Sequence, residues 1–135
     1  MDFSISYGIQ NIGLPLILSS GDLKNICFLI DTGATHNVLF DFVYEHLQDD
    51  VKLTNANNRI MGIEGHYIET PIIEATFNFE GVICTSTFSV LNASDAILNI
   101  QNETGIQIHG ILGMQFLLEN KCILDFDKQQ ISLYK

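Results

Sequence analysis

The stretch Phe28-Leu29-Ile30-Asp31-Thr32-Gly33-Ala34-Thr35 decides how this chain is read. An apolar run beginning at Ile26 ends abruptly in a carboxylate, followed by a hydroxyl, a glycine and a small residue. Apolar β-formers bounded by glycine read as a buried strand running into a tight turn. Gly33 suits a backbone with positive φ or a close approach, and Thr32 can hydrogen-bond across such a turn. An acid at the rim of an apolar region loses hydration that its charged form needs. Asp31 is therefore either a strained turn residue or a catalytic one.

Length and composition bound the surroundings of that acid. A chain of 135 residues is expected to be a single domain, 1–135. It is 47% hydrophobic, which argues against disorder, yet its apolar runs are far too short to span a bilayer. The formal net charge is −10, with only six Lys and Arg. Nucleic acid and anionic membrane are therefore not expected partners, since there is no cationic patch to neutralise phosphate. Met1-Asp2-Phe3-Ser4 lacks the basic and apolar succession of a secretory leader, so a cytoplasmic location is expected. Cys27, Cys84 and Cys122 are widely spaced among apolar neighbours and read as buried reduced thiols. His36, His46, His66 and His109 show no ligand spacing, so neither a metal nor a cofactor is expected.

Outward from Asp31, the pattern is mostly strands and turns. Phe3, Ile5 and Tyr7 alternate with polar residues and read as a half-buried strand, with a second strand over 14–18. A short strand at 37–40 leads into a brief helix from Asp41 to about Leu47. Residues 48–58 are polar and read as a surface loop. Two long strands, 72–79 and 82–91, flank Glu80-Gly81; Ile73, Ala75, Phe77 and Phe79 share one face of the first. Residues 92–105 read as polar loop. Gly110-Ile111-Leu112-Gly113 is a short strand before a helix at 114–118, and a hairpin over 122–126 and 131–134 closes the chain. The expected class is all-β with one or two short helices.

A second informative stretch is Arg59-Ile60-Met61-Gly62-Ile63-Glu64-Gly65-His66-Tyr67-Ile68. Apolar residues around two glycines read as a hairpin with a flexible tip. Met61 and Ile63 have no evident core to enter, which is the pattern of a lid over an apolar ligand.

Three features in order, Leu29-Ile30-Asp31-Thr32-Gly33-Ala34, the glycine-bearing hairpin at 61–65 and Ile111-Leu112-Gly113 before a helix, resemble the retropepsin-like aspartic proteases. The likeness covers nearly the whole chain, about 14–134, and is closer to non-viral single-domain relatives than to retroviral enzymes. It implies half of an acid-protease fold, a closed β-barrel with a flap hairpin. It also implies a homodimeric endopeptidase, with Asp31 catalytic and Thr32, Gly33 and Ala34 supporting it. Ile30, Met61, Gly62, Ile63, Gly65 and Ile111 become flap and pocket residues toward a peptide substrate, with Val38 beside them. Glu103-Thr104-Gly105 looks like a degenerate second copy but lacks the apolar lead-in, so one active site needs two chains. Thr35 and Met114 stand where retroviral enzymes carry a paired acid and arginine. The hydrophobic C-terminal hairpin offers alternative interface surface. The other reading is a non-catalytic peptide-binding or assembly module on the same fold.

Overall fold

In chain order the elements are β1 (Asp2–Ser4), α1 (Ser6–Ile12), β2 (Leu16–Leu18), β3 (Cys27–Ile30), β4 (Val38–Phe40), α2 (Asp41–Leu47) and β5 (Lys52–Met61). They continue as β6 (Tyr67–Phe79), β7 (Val82–Leu91), α3 (Asp95–Thr104), β8 (Gly110–Leu112), α4 (Met114–Glu119), β9 (Ile123–Asp125) and β10 (Gln130–Ser132). This computed structural model describes residues 1–19, 25–61 and 67–133. The fold is mostly β with a few short helices. The larger sheet runs β2-β3-β8-β4-β7-β6-β5 and the smaller one β1-β10-β9. Among the described residues the large ladder ends at β2 and β5 and is not found to close into a barrel.

β3 is enclosed on both faces, which is why its sequence is apolar at every position. Phe28 and Ile30 enter the main core, while Cys27 and Leu29 enter a second cluster with Leu16, Val38, Phe40 and Ile108. The Phe28 ring meets Phe77 edge-on at 4.9 Å and lies 6.0 Å from Phe88 and 6.2 Å from Phe79. These aromatic contacts fold the β6–β7 hairpin onto the strand that carries Asp31. Along β6, Ile73, Ala75, Phe77 and Phe79 are all buried, as their alternation predicts.

The structure corrects the sequence reading in three places. The expected first strand stops at Ser4, and Tyr7 lies in α1, exposed. Ile5, Ile9 and Ile12 repeat at helical spacing, and Gly13 closes the helix in the left-handed region (φ 71°). Within the polar stretch 48–58, β5 begins at Lys52 and pairs antiparallel with β6, with a bulge between Leu53 and Asn57. Its partner strand, rather than its own apolar pattern, specifies it. The stretch 92–105 contains α3: Ser94 accepts the Ile97 N–H, Ile97 and Ile100 pack on the second core, and Gly105 ends the helix in the left-handed region. Glu103 and Thr104 are thus the last residues of a helix, not a second active-site turn.

No helix among the described residues is long and apolar enough to cross a membrane. Cys27 and Cys84 are buried and Cys122 half-buried, and none of the three is in a disulfide. Burial pushes the Cys27 thiol up to about 11 and, together with the nearby Cys84, the Cys122 thiol up to about 12.

His109 joins three strands. Its Nδ1 accepts the Cys27 N–H at 2.9 Å, its own N–H donates to the Cys27 carbonyl at 2.8 Å, and its carbonyl accepts the Phe40 N–H at 3.0 Å. Nδ1 must be unprotonated to accept, and burial holds the imidazole below its ordinary value of 6.5. The unfolded chain takes up that proton first, so this contribution is intact above about 6.5 and declines as pH falls through it. On acidification from about pH 7.5 to about 5.5, the melting temperature of the parent should fall more than that of His109→Asn, which keeps an acceptor but cannot titrate. Equal falls in thermal scans would show that His109 does not titrate across folding.

Candidate active site

Asp31 follows the last residue of β3, and its backbone continues the parallel ladder: its N–H donates to the Leu112 carbonyl at 3.0 Å. The chain then turns sharply, with the Ala34 N–H donating to the Asp31 carbonyl at 3.2 Å and the Gly33 N–H to Asp31 Oδ1 at 2.8 Å. The carboxylate therefore caps its own turn. Gly33 does not use positive φ; its value is the close approach, since a Cβ there would sit 3.2 Å from Asp31 Oδ1. Asp31 and Ala34 are half-buried, whereas Thr32 and Gly33 are exposed.

A fully buried amide fixes the far end of this loop. Asn37 Oδ1 accepts the Gly113 N–H at 3.0 Å and the Phe116 N–H at 3.2 Å, and Asn37 Nδ2 donates to Ser86 Oγ at 3.0 Å and to the Thr87 carbonyl at 3.2 Å. One side chain thus ties the Asp31 loop to the start of α4 and to β7. The backbone adds Met114 N–H to the Ala34 carbonyl at 2.7 Å and Gln115 N–H to the Thr35 carbonyl at 3.1 Å. Gly113 permits this closeness: a Cβ would lie 2.6 Å from the His36 carbonyl oxygen and 2.7 Å from that of Ala34. The Ile111-Leu112-Gly113 block and the Asp31 motif, distant in sequence, are one packed unit. Asn37 and Gln115, whose Nε2 donates to Thr87 Oγ1 at 2.7 Å, were missed by sequence reasoning. An Asn between a loop and an apolar strand is their only trace.

The remaining expected residues are more dispersed. Ile30 and Val38 are buried in the two cores rather than lining an open pocket, because their registers with Leu112 and Ile111 turn them inward. Ile111 is half-buried against the second core. Met61 ends β5; Gly62, Ile63, Gly65 and His66 lie outside the described residues. Thr35, His36 and Met114 come together in the wall of a cleft of about 420 Å³, shared with Ile72, Thr87, Gln115 and Leu118. The cleft wall carries no Asp, Glu, Lys or Arg side chain. Among the described residues no group of three or more His, Cys, Asp or Glu is placed to hold a metal ion.

No family model and no curated protein matches this sequence. Solved structures do. The retroviral protease-like domain of Ddi1 from Leishmania major superposes with a TM-score of 0.56 at 12% identity, covering 89% of this chain and 87% of that one. EIAV protease, complexed with the inhibitor HBY-793, superposes with a TM-score of 0.55 at 20% identity, covering 84% and 93%. The fold is retropepsin-like. At such identities the likeness speaks for the architecture, and the chemistry rests on the chain's own residues.

Removing the amide that anchors the retropepsin-like loop should be costly. Asn37→Ala leaves the Gly113 and Phe116 N–H groups buried without their acceptor, at about 1–3 kcal/mol for each orphaned group. Urea unfolding should show a loss of about 2–4 kcal/mol. A loss below about 0.5 kcal/mol, the range of neutral surface changes, would mean that the amide is not what holds the loop.

Proposed function

We propose that this chain, as one retropepsin-like domain, is an aspartic endopeptidase whose active site forms between two copies. The observation that carries the reading is Asp31: a half-buried carboxylate at the end of an enclosed strand, oriented by the Gly33 N–H, with Thr32 and Gly33 exposed beside it. A turn acid with no further task has no need of such an enclosed strand beneath it. The exposed Thr32-Gly33 edge is open to a second chain.

In the dimer the two Asp31 carboxylates sit about 3 Å apart and share one proton, since like charges that close do not both ionise; aspartic proteases are a standard case of this effect. The ionised member takes a proton from a water between them, and the protonated member donates to the scissile carbonyl oxygen. Water adds to the carbonyl carbon, and the tetrahedral diol collapses to acid and amine as the amide nitrogen gains a proton. No covalent enzyme intermediate forms. Thr32 bonds its symmetry mate beneath the dyad, and Ala34 anchors the turn through its N–H and carbonyl. The β5–β6 hairpin, with Met61 at the end of β5, lies over an extended peptide and holds it by main-chain hydrogen bonds. Ile111 borders the apolar side-chain sites.

Asp31→Asn preserves size and the turn while removing the base. Cleavage of a peptide pool should fall below detection, with dimerisation and fold retained, and the parent's rate should follow a bell-shaped pH profile centred below neutral. A variant that cleaves like the parent would refute the role of Asp31. Absence of cleavage by either form, with equal peptide affinity, would instead identify a peptide-binding module.

A further inference from the structure

The cleft beside the Asp31 loop takes no part in the bond-breaking step. Thr35 and His36 in its wall belong to the loop that Asp31 opens, Ile72 and Thr87 to β6 and β7, and Met114, Gln115 and Leu118 to α4. Met114 and Leu118 are one helical turn apart and so share a face of α4, which carries the cleft outward from the loop. Leu118 is 69% exposed, an apolar side chain with most of its surface uncovered. At about 420 Å³ the hollow lies in the range of sites that hold ligands, about 300–1,000 Å³. Its chemistry narrows the occupant. No Asp, Glu, Lys or Arg side chain among the described residues lines it, in a chain of net charge −10. A charged group entering would shed hydration and meet no counter-charge. The Gln115 amide is engaged within the protein: its Nε2 donates to Thr87 Oγ1 at 2.7 Å, and its Oε1 accepts the Asn37 N–H at 3.4 Å. What the wall offers an occupant is chiefly the apolar surface of Ile72, Met114 and Leu118.

We infer that this cleft is an exosite for the substrate chain: it takes a large apolar side chain, Leu, Ile, Met or Phe, from a residue away from the scissile bond. The inference rests on the proposed function and adds a substrate class to it, extended peptides with an apolar anchor displaced from the cut. In that reading the peptide runs between the Asp31 loop and the β5–β6 hairpin. Those same two elements supply Thr35, His36 and Ile72 to the cleft, so its wall is continuous with the peptide's path. A chain leaving the catalytic acid on that side next meets Met114 and Leu118 along α4. Because Asp31 is not in the wall, the anchor acts on binding and not on bond breaking. It holds the bound peptide and the transition state alike.

The test uses peptides from a tryptic digest of whole-cell protein, with cut sites located by mass spectrometry for the parent, Leu118→Lys and Met114→Gln. Circular dichroism confirms folding of each. The parent should show Leu, Ile, Met or Phe enriched at one fixed position away from the cut. In a synthetic peptide copied from such a site, Ala at that position should raise KM about tenfold at nearly constant kcat. Leu118→Lys, at an exposed side chain, should raise KM for the apolar peptide by a similar factor and leave the Ala peptide nearly unchanged, since the two changes remove one contact. Met114→Gln should act in the same direction and serves if Leu118→Lys fails to fold. A parent that cuts the pool with no apolar preference away from the cut, or with that preference unaltered in both variants, would overturn the exosite and leave the two-copy active site standing. Enrichment of an acidic or basic residue there instead would overturn it as well. A parent that cuts no peptide in the pool would overturn the proposed function and the exosite together.

Discussion

The Asn37 amide has two acceptor and two donor positions, and all four are used inside the protein. With no exposed surface, it has no water to fall back on, so each partner must be where it is. That requirement fixes the entry to α4, the middle of β7 and the exit of the Asp31 loop relative to one another. It also explains why Gly113 follows β8: the amide draws the α4 start so close to the loop that no Cβ fits. Ser86, bonded to this amide, in turn donates to Glu119 Oε1 at 2.9 Å, carrying the same chain of bonds to the far end of α4. The loop is held by satisfied polar groups within an apolar frame, an arrangement that tolerates little rearrangement.

Strand β3 supplies the other half of that rigidity. Both its faces are packed, and its terminal carboxylate continues from a ladder bonded on either side. The acid is therefore positioned by secondary structure while its neighbours Thr32 and Gly33 remain open. Rigid support beneath an accessible carboxylate is what a reaction needing preorganised geometry requires. Against this stands the net charge of −10 on each copy, which opposes close approach of two chains. In the proposed dimer, association would therefore have to overcome that repulsion through apolar contact.

The Asp31 motif, the β6–β7 hairpin and the Ile111-Leu112-Gly113 block were legible because each has a strong local signature: an abrupt end to an apolar run, strict alternation, or an apolar triplet closed by glycine. β5 was not, since a polar strand carries no periodicity of its own and exists through pairing with β6. α3 was hidden by a polar composition with only Ile97 and Ile100 facing the core, although Ser94 and Gly105 mark its ends. Tyr7 continued an alternation by chance where Ile9 and Ile12 continued a helix. The place of Asp31 at the end of a buried strand could be read from sequence, but the amide that fixes its loop could not. Buried hydrogen bonding depends on which distant segments meet.

The histidine staple between β3, β4 and the entry to β8 has a consequence for how long such a protein works as opposed to how fast. Under the proposed function the cleavage rate has its maximum below neutral, while acid favours the unfolded chain through His109. On that reading, turnover and endurance would pull in opposite directions along the pH axis. Initial velocity and total product per molecule would peak at different acidities, with the yield-determining optimum displaced toward neutrality. Long incubations would consequently reward less acidic conditions than brief assays do.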